Sequence, residues 1–224
     1  MALYCKVFGM ESNWAAEHLQ VIRTLMERSA LYRRALAPIM IFNGVIGIVA
    51  SALGWTLRIC PPQAFIIYWA AVAVAAMAGS FLLVRRQALR DSEPFWSPPT
   101  RRVMQALLPP LAAGSIITAG AFLRQAPVHG VGPPLTELWL PLSWVVLYGC
   151  AIHAAGFFMP RGMKLFGWAF ILGGCVLLAA ELAGQSAQPQ HFLYPHAIMG
   201  FFFGGLHLAY GGYLYLTEQR RNAT

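Results

Sequence analysis

Six stretches of this 224-residue chain are apolar over a length that matches a bilayer, and few soluble folds have use for so many. They run over 35–57, 64–84, 103–123, 137–158, 165–184 and 194–216. At about 1.5 Å of rise per residue, some 20 residues of helix cover a hydrocarbon core of about 30 Å. None of the six contains Lys or Arg, and the only acids in them are Glu137, which opens the fourth, and Glu181, near the end of the fifth. The whole chain is only 11% charged, against about 25% in an ordinary soluble domain. The connections hold the breakers: "RICPPQ", "RRQALRDSEPFWSPPTRR", "RQAPVHGVGPPLTE", "PRGMK" and "GQSAQPQHFLYP". The pattern predicts an all-α fold: an integral membrane bundle of six transmembrane helices over 35–216, with an N-terminal segment 1–34 and a short tail 217–224.

Charge then gives an orientation. With the N-terminus set inside, Lys6, Arg23, Arg28, Arg33, Arg34, Arg85, Arg86, Arg90, Arg101, Arg102, Arg161, Lys164, Arg220 and Arg221 collect on the inner side. Only Arg58 and Arg124 fall outside, fourteen basic residues against two. The positive-inside rule needs far less asymmetry. The expectation is an inner (cytoplasmic) membrane protein with both termini cytoplasmic, in contact with the lipid bilayer. The net charge of +8 is then an orientation signal that also favours anionic headgroups. No nucleic-acid partner is expected, because the charge is not gathered on one folded surface. Trp55, Trp69, Trp139 and Trp144 fall toward the outer interface, where amphipathic rings collect.

Ahead of the first span, "NWAAEHLQVIRTLMERSALYRR" is amphipathic. Ala15, Leu19, Ile22, Leu25, Met26 and Ala30 recur at helical spacing, with Glu17, Gln20, Arg23, Glu27 and Arg28 on the other side. Ser12 or Asn13 caps the first turn, so Met10 serves as well as Met1 for a start. The N-terminus has no apolar core followed by a small-residue cleavage site, so it does not read as a cleaved leader. The amphipathic face calls for the membrane surface, the inner face of the bundle or a partner chain. Cys5, Cys60, Cys150 and Cys175 show neither CxxC nor zinc spacing and read as small core residues.

The last span, "HAIMGFFFGGLHLAYGGYLYL", is the unusual one, with two histidines and five glycines among its residues. On an α-helix His196 and His207 return to nearly the same angle, with Gly200, Gly204 and Gly211 close by. Glycine there lets a helix backbone or a flat ring approach, and Gly200–Gly204 is a GxxxG of the packing type. The fourth span has the same theme in His153, flanked by Gly149 and Gly156. Counted from the outer ends, His153 lies roughly 22–24 Å deep and His207 roughly 18–20 Å. Ionisable residues at such depth are functional candidates by default.

Four uses compete for these histidines. A b-type haem would take His153 and His207 as axial ligands, with Gly149, Gly156, Gly204 and Gly211 admitting the porphyrin face. A proton or ion path would run through His207 and His196 toward Glu181 and Glu137. A bound metal lacks an evident third ligand. Otherwise each imidazole bonds a neighbouring helix and holds the bundle together. Mid-span carboxylates, HExxH, a nucleophile elbow and a phosphate-binding glycine loop are all missing, so catalysis has little to stand on. The leading expectation is a non-catalytic subunit, as a homo-oligomer or with a membrane-protein partner, carrying a cytoplasmic docking face. A transporter or channel with a His-lined interior, and a haem- or quinone-binding redox protein, are the alternatives.

Overall fold

The computed structural model describes residues 36–90, 96, 98–124, 138–159, 162–183 and 194–222. These residues are helices and the turns between them, with no strand among them. The expected amphipathic helix before the first span, and Glu137, lie outside the described residues. Seven helical elements follow in order: α1 (Leu36–Thr56), α2 (Pro62–Arg90), α3 (Pro98–Arg124), α4 (Trp139–Ala155), α5 (Gly162–Leu182), α6 (Tyr194–Met199) and α7 (His207–Asn222). A π-helical segment, Gly200–Leu206, joins α6 to α7 without a break. The three form one terminal helix.

Five of these helices are long and apolar enough to cross a membrane: α1, α2, α3, α5 and the terminal helix over Tyr194–Thr217. They mark the chain as a multi-pass membrane protein. The sixth expected span is α4, which is apolar but has 17 residues, about 26 Å of helix. Proline sets where several helices begin. Pro62 and Pro98 are first residues, and Pro141 and Pro195 fall in first turns, where no backbone N–H is needed within the helix. Pro109 and Pro110 are different: they stand in the middle of α3.

The main apolar core is built from α1, α4, α5 and the terminal helix. It holds Leu36, Ala37 and Met40, then Leu142, Val145 and Ile152, then Met163, Phe166 and Phe170, then Ile198, Phe202 and Leu214. A second cluster joins Ala50 of α1 to Phe65 and Trp69 of α2 and to Met199. Two antiparallel pairs carry this core, and both are seamed by glycine. Along α1 and the terminal helix, a methyl on Gly44 would meet the Leu208 backbone at 2.7 Å, and one on Gly47 the Phe203 carbonyl at 2.6 Å. From the other side, Gly204 would meet the Ile48 backbone at 2.8 Å and Gly211 the Ile41 backbone at 2.9 Å. Along α4 and α5, Gly149 faces Ile171, Gly174 faces Val145 and Val146, Gly156 faces Lys164, and Gly167 faces the backbone of His153. Backbones this close gain dispersion contacts that lipid cannot supply equally well, which is what drives helices together in a bilayer.

Polar side chains add single bonds between helices. Ser80 donates to Asn43 Oδ1 at 3.0 Å, Tyr68 to the Ala50 carbonyl at 2.6 Å, and Trp144 to Thr118 Oγ1 at 2.8 Å.

Candidate functional site

His196 and His207 are the most buried polar side chains among the described residues, at 0% and 1% exposure. Each has both ring nitrogens engaged by the protein.

His196 enters in the first turn of α6, where Pro195 starts the helix. Its Nδ1 lies 3.1 Å from Trp69 Nε1. An indole nitrogen only donates, so Nδ1 accepts and the ring proton is on Nε2. That Nε2 lies 3.1 Å from the Ile59 carbonyl, which takes the proton as acceptor. The end of α1 places this carbonyl. Arg58 has φ 47°, the left-handed conformation. The Ile59 N–H donates to the Gly54 carbonyl at 3.1 Å and the Arg58 N–H to the Trp55 carbonyl at 3.2 Å. That pairing is a Schellman cap, with arginine where glycine is usual. Gly54 lies against the imidazole, leaving no space for a side chain there. Ser51 donates to the His196 carbonyl at 2.7 Å. Phe65 meets the ring edge-on with centroids 5.1 Å apart. One side chain thus ties α1, α2 and the terminal helix.

His207 follows the π segment. Its Nδ1 lies 3.2 Å from the Phe202 carbonyl, which fixes the proton on Nδ1. Nε2 therefore accepts from the Tyr148 hydroxyl at 2.7 Å. A π turn changes the backbone pairing pattern, and the Phe202 carbonyl, five residues back, takes the ring proton. Phe166 and Phe170 of α5 meet the ring edge-on at 5.1 and 5.5 Å, and Phe203 lies parallel to it at 6.2 Å. The imidazole is boxed by aromatic rings, with Tyr148 of α4 as its polar partner from another helix.

His153 sits in a different setting. It is half-buried, and its Nδ1 is 3.4 Å from the Lys164 carbonyl, a long contact. Its ring edges meet Phe157 and Trp168 at 5.5 and 5.3 Å, and both of those rings are exposed. The Lys164 ammonium caps Phe157 at 3.7 Å. Phe166 faces His207 while Trp168 faces His153. Two residues on an α-helix are about 200° apart, so the two histidines contact opposite sides of α5. The structure does not bring His153 and His207 together.

Nor do His196 and His207 share a face, as a continuous α-helix would require. His196 contacts α1 and α2, whereas His207 contacts α4 and α5. The π segment is the reason. It packs more residues into each turn, so the rotation per residue falls below about 100°, and the rings diverge across it. The four glycines expected to admit a flat ring, Gly149, Gly156, Gly204 and Gly211, are each filled by a neighbouring helix. Glu181 is partly buried near the end of α5, and no hydrogen bond joins it to either histidine.

Among the described residues no group of three or more His, Cys, Asp or Glu is placed to hold a metal ion, and Cys60, Cys150 and Cys175 are free thiols. The residues that sequence reasoning missed are the partners: Trp69, Tyr148, Ile59 and the left-handed Arg58. Trp69 has the composition of an interfacial belt residue but is 3% exposed and spends its N–H on His196. The available signal was the histidines themselves, since a buried imidazole requires one donor and one acceptor from elsewhere. No protein-family model, curated protein or solved structure matches this chain.

Proposed function

We propose that this protein is a small, non-catalytic inner-membrane subunit. It crosses the bilayer six times with both termini in the cytoplasm, as a homo-oligomer or beside a membrane-protein partner. The N-terminal segment and the α2–α3 connection each offer it a cytoplasmic docking surface. The observation that carries this reading is the spending of both buried histidines on the fold. All four of their ring nitrogens have protein partners. Such a ring has no nitrogen left to ligate iron or relay a proton without first breaking a bond that holds helices together. The seventeen residues of α4 reach the short end of the range for a crossing, and a sixth crossing returns the chain to the side where it began. The basic asymmetry of the sequence assigns that side to the cytoplasm.

The test is the mass and colour of the protein extracted from its own membrane in mild detergent. More than one copy, or a second polypeptide, is expected. A monomer with no companion, unchanged when residues 1–34 are deleted, overturns the reading. A Soret band abolished by His207→Ala would instead make the haem alternative correct.

One observation favours transport as a second reading. A π segment at mid-span beside the buried His207 and its partner Tyr148 is the kind of irregularity that often accompanies function. Proton or ion flux into reconstituted vesicles, lost in His207→Phe, is its test. Flux equal to that of empty vesicles ends it.

A further inference from the structure

The adjoining ends of α2 and α3 are strongly basic. Helix α2 has 29 residues, about 43 Å of rise against a hydrocarbon core of about 30 Å. Its last turns carry Arg85, Arg86 and Arg90, all exposed. Helix α3 carries Arg101 and Arg102 among its first five residues, also exposed. The two helices touch, and only residues 91–97 separate them in sequence.

The levels match. Arg85 and Arg86 lie about 34–36 Å along α2 from Pro62, and Arg101 and Arg102 about 33–35 Å along α3 from Arg124. Both pairs therefore fall a few ångström beyond the hydrocarbon, at the depth of lipid phosphates. Neither α2 nor α3 contains an acid; the connection between them brings only Asp91 and Glu93 against five arginines, and among the described residues none of the five is in an ion pair. Leu89 and Trp96 beside them are 72% and 60% exposed, apolar surface at the acyl–headgroup boundary. Arg101 does not serve its own helix, because a cation at the start of a helix opposes the helix dipole. All five are arginine, whose planar fork matches two oxygens of a phosphodiester where lysine offers a point charge.

We infer that Arg85, Arg86, Arg101 and Arg102 form a binding site for the phosphate of an anionic phospholipid in the leaflet they face, with Arg90 adding long-range attraction one turn further out. The inference rests on the reading of α2 and α3 as membrane crossings but on neither the oligomeric state nor the direction of insertion. Each basic residue near an anionic surface is worth roughly five-fold in association.

The experiment uses the full chain in nanodiscs of phosphatidylcholine containing a minor fraction of phosphatidylglycerol with the same acyl chains. Lipid retained on the protein is read by native mass spectrometry. The wild type is expected to retain phosphatidylglycerol about ten-fold over its share of the bilayer. The pairs Arg85→Gln/Arg86→Gln and Arg101→Gln/Arg102→Gln are each expected to remove most of that preference, and each leaves the other pair to direct insertion. Arg220→Gln/Arg221→Gln is expected to change it less than about two-fold. Absence of preference in the wild type overturns the site. So does an equal loss in the 220/221 pair, which would mean general charge, or full competition by inorganic phosphate, which would mean a soluble anion. Retention of an acidic polypeptide in place of lipid also overturns it. The same spectra give the copy number, so failure of the lipid site is distinguishable from failure of the subunit reading.

Discussion

The terminal helix and α3 are both long, apolar and uncharged over a membrane's thickness, and they are put to opposite use. Both carry glycines. In the terminal helix 44% of the spanning window is buried inside the protein, and in α3 none of it is. Gly204 and Gly211 meet the backbone of α1, whereas Gly120 of α3 has open space around it. The terminal helix also holds the two buried histidines, while α3 holds on to α4 through side chains such as Thr118, which accepts from Trp144. A single glycine therefore does not show that a neighbour is close. What separates the two is whether a neighbouring backbone comes close enough to use the missing side chain.

The strongest way to break the comparison is to fill those spaces. Gly204→Leu drives a side chain into Ile48 and is expected to cost about 3 kcal/mol, while Gly120→Leu is expected to stay within about 0.5 kcal/mol. Thermal unfolding of the two variants in one detergent checks this, and equal shifts would erase the distinction. Next is Tyr148→Phe, which leaves His207 Nε2 buried without a donor. A loss of about 1–2 kcal/mol is expected, with loosening between α4 and the terminal helix, read by hydrogen exchange in those two segments. Arg58→Gly works in the other direction. It keeps the Schellman cap and relieves a left-handed arginine, for an expected gain of about 1 kcal/mol; a loss would mean that the arginine side chain itself holds that end of α1. The smallest effect is expected from Trp144→Phe, which removes the bond to Thr118. An interhelical bond of this type averages about 0.6 kcal/mol in a bilayer. A near-neutral midpoint with faster exchange in α3 alone would sharpen the view of α3 as a peripheral helix.

Much of the architecture was legible in the chain. Helix positions followed from apolar length, because a bilayer forces every backbone group into a helix; the starts at Pro62 and Pro98 came a few residues earlier than the apolar runs, since proline is well suited to a first turn. At Gly200–Gly204 the spacing left a helix backbone or a flat ring as alternatives, and Gly204 meets the backbone of α1. The ring partners were not legible. An angle of about 100° per residue placed His196 and His207 on one face, and it fails across Gly200–Leu206 because the backbone there is π-helical. Similar depth suggested that His153 faces His207, but depth carries no information about which side of α5 each ring contacts.

The sequence by itself determined the solvent and the elements: long uncharged apolar runs with basic residues at their ends have a low-energy place only as helices in hydrocarbon. Only the tertiary structure decided what the histidines and glycines touch. Trp69 and Ile59 are more than a hundred residues from His196 in sequence, and Ile48 is as remote from Gly204. Such pairings depend on how helices turn and slide against one another, a choice made by packing and hydrogen bonding across the whole bundle rather than by any local run of residues.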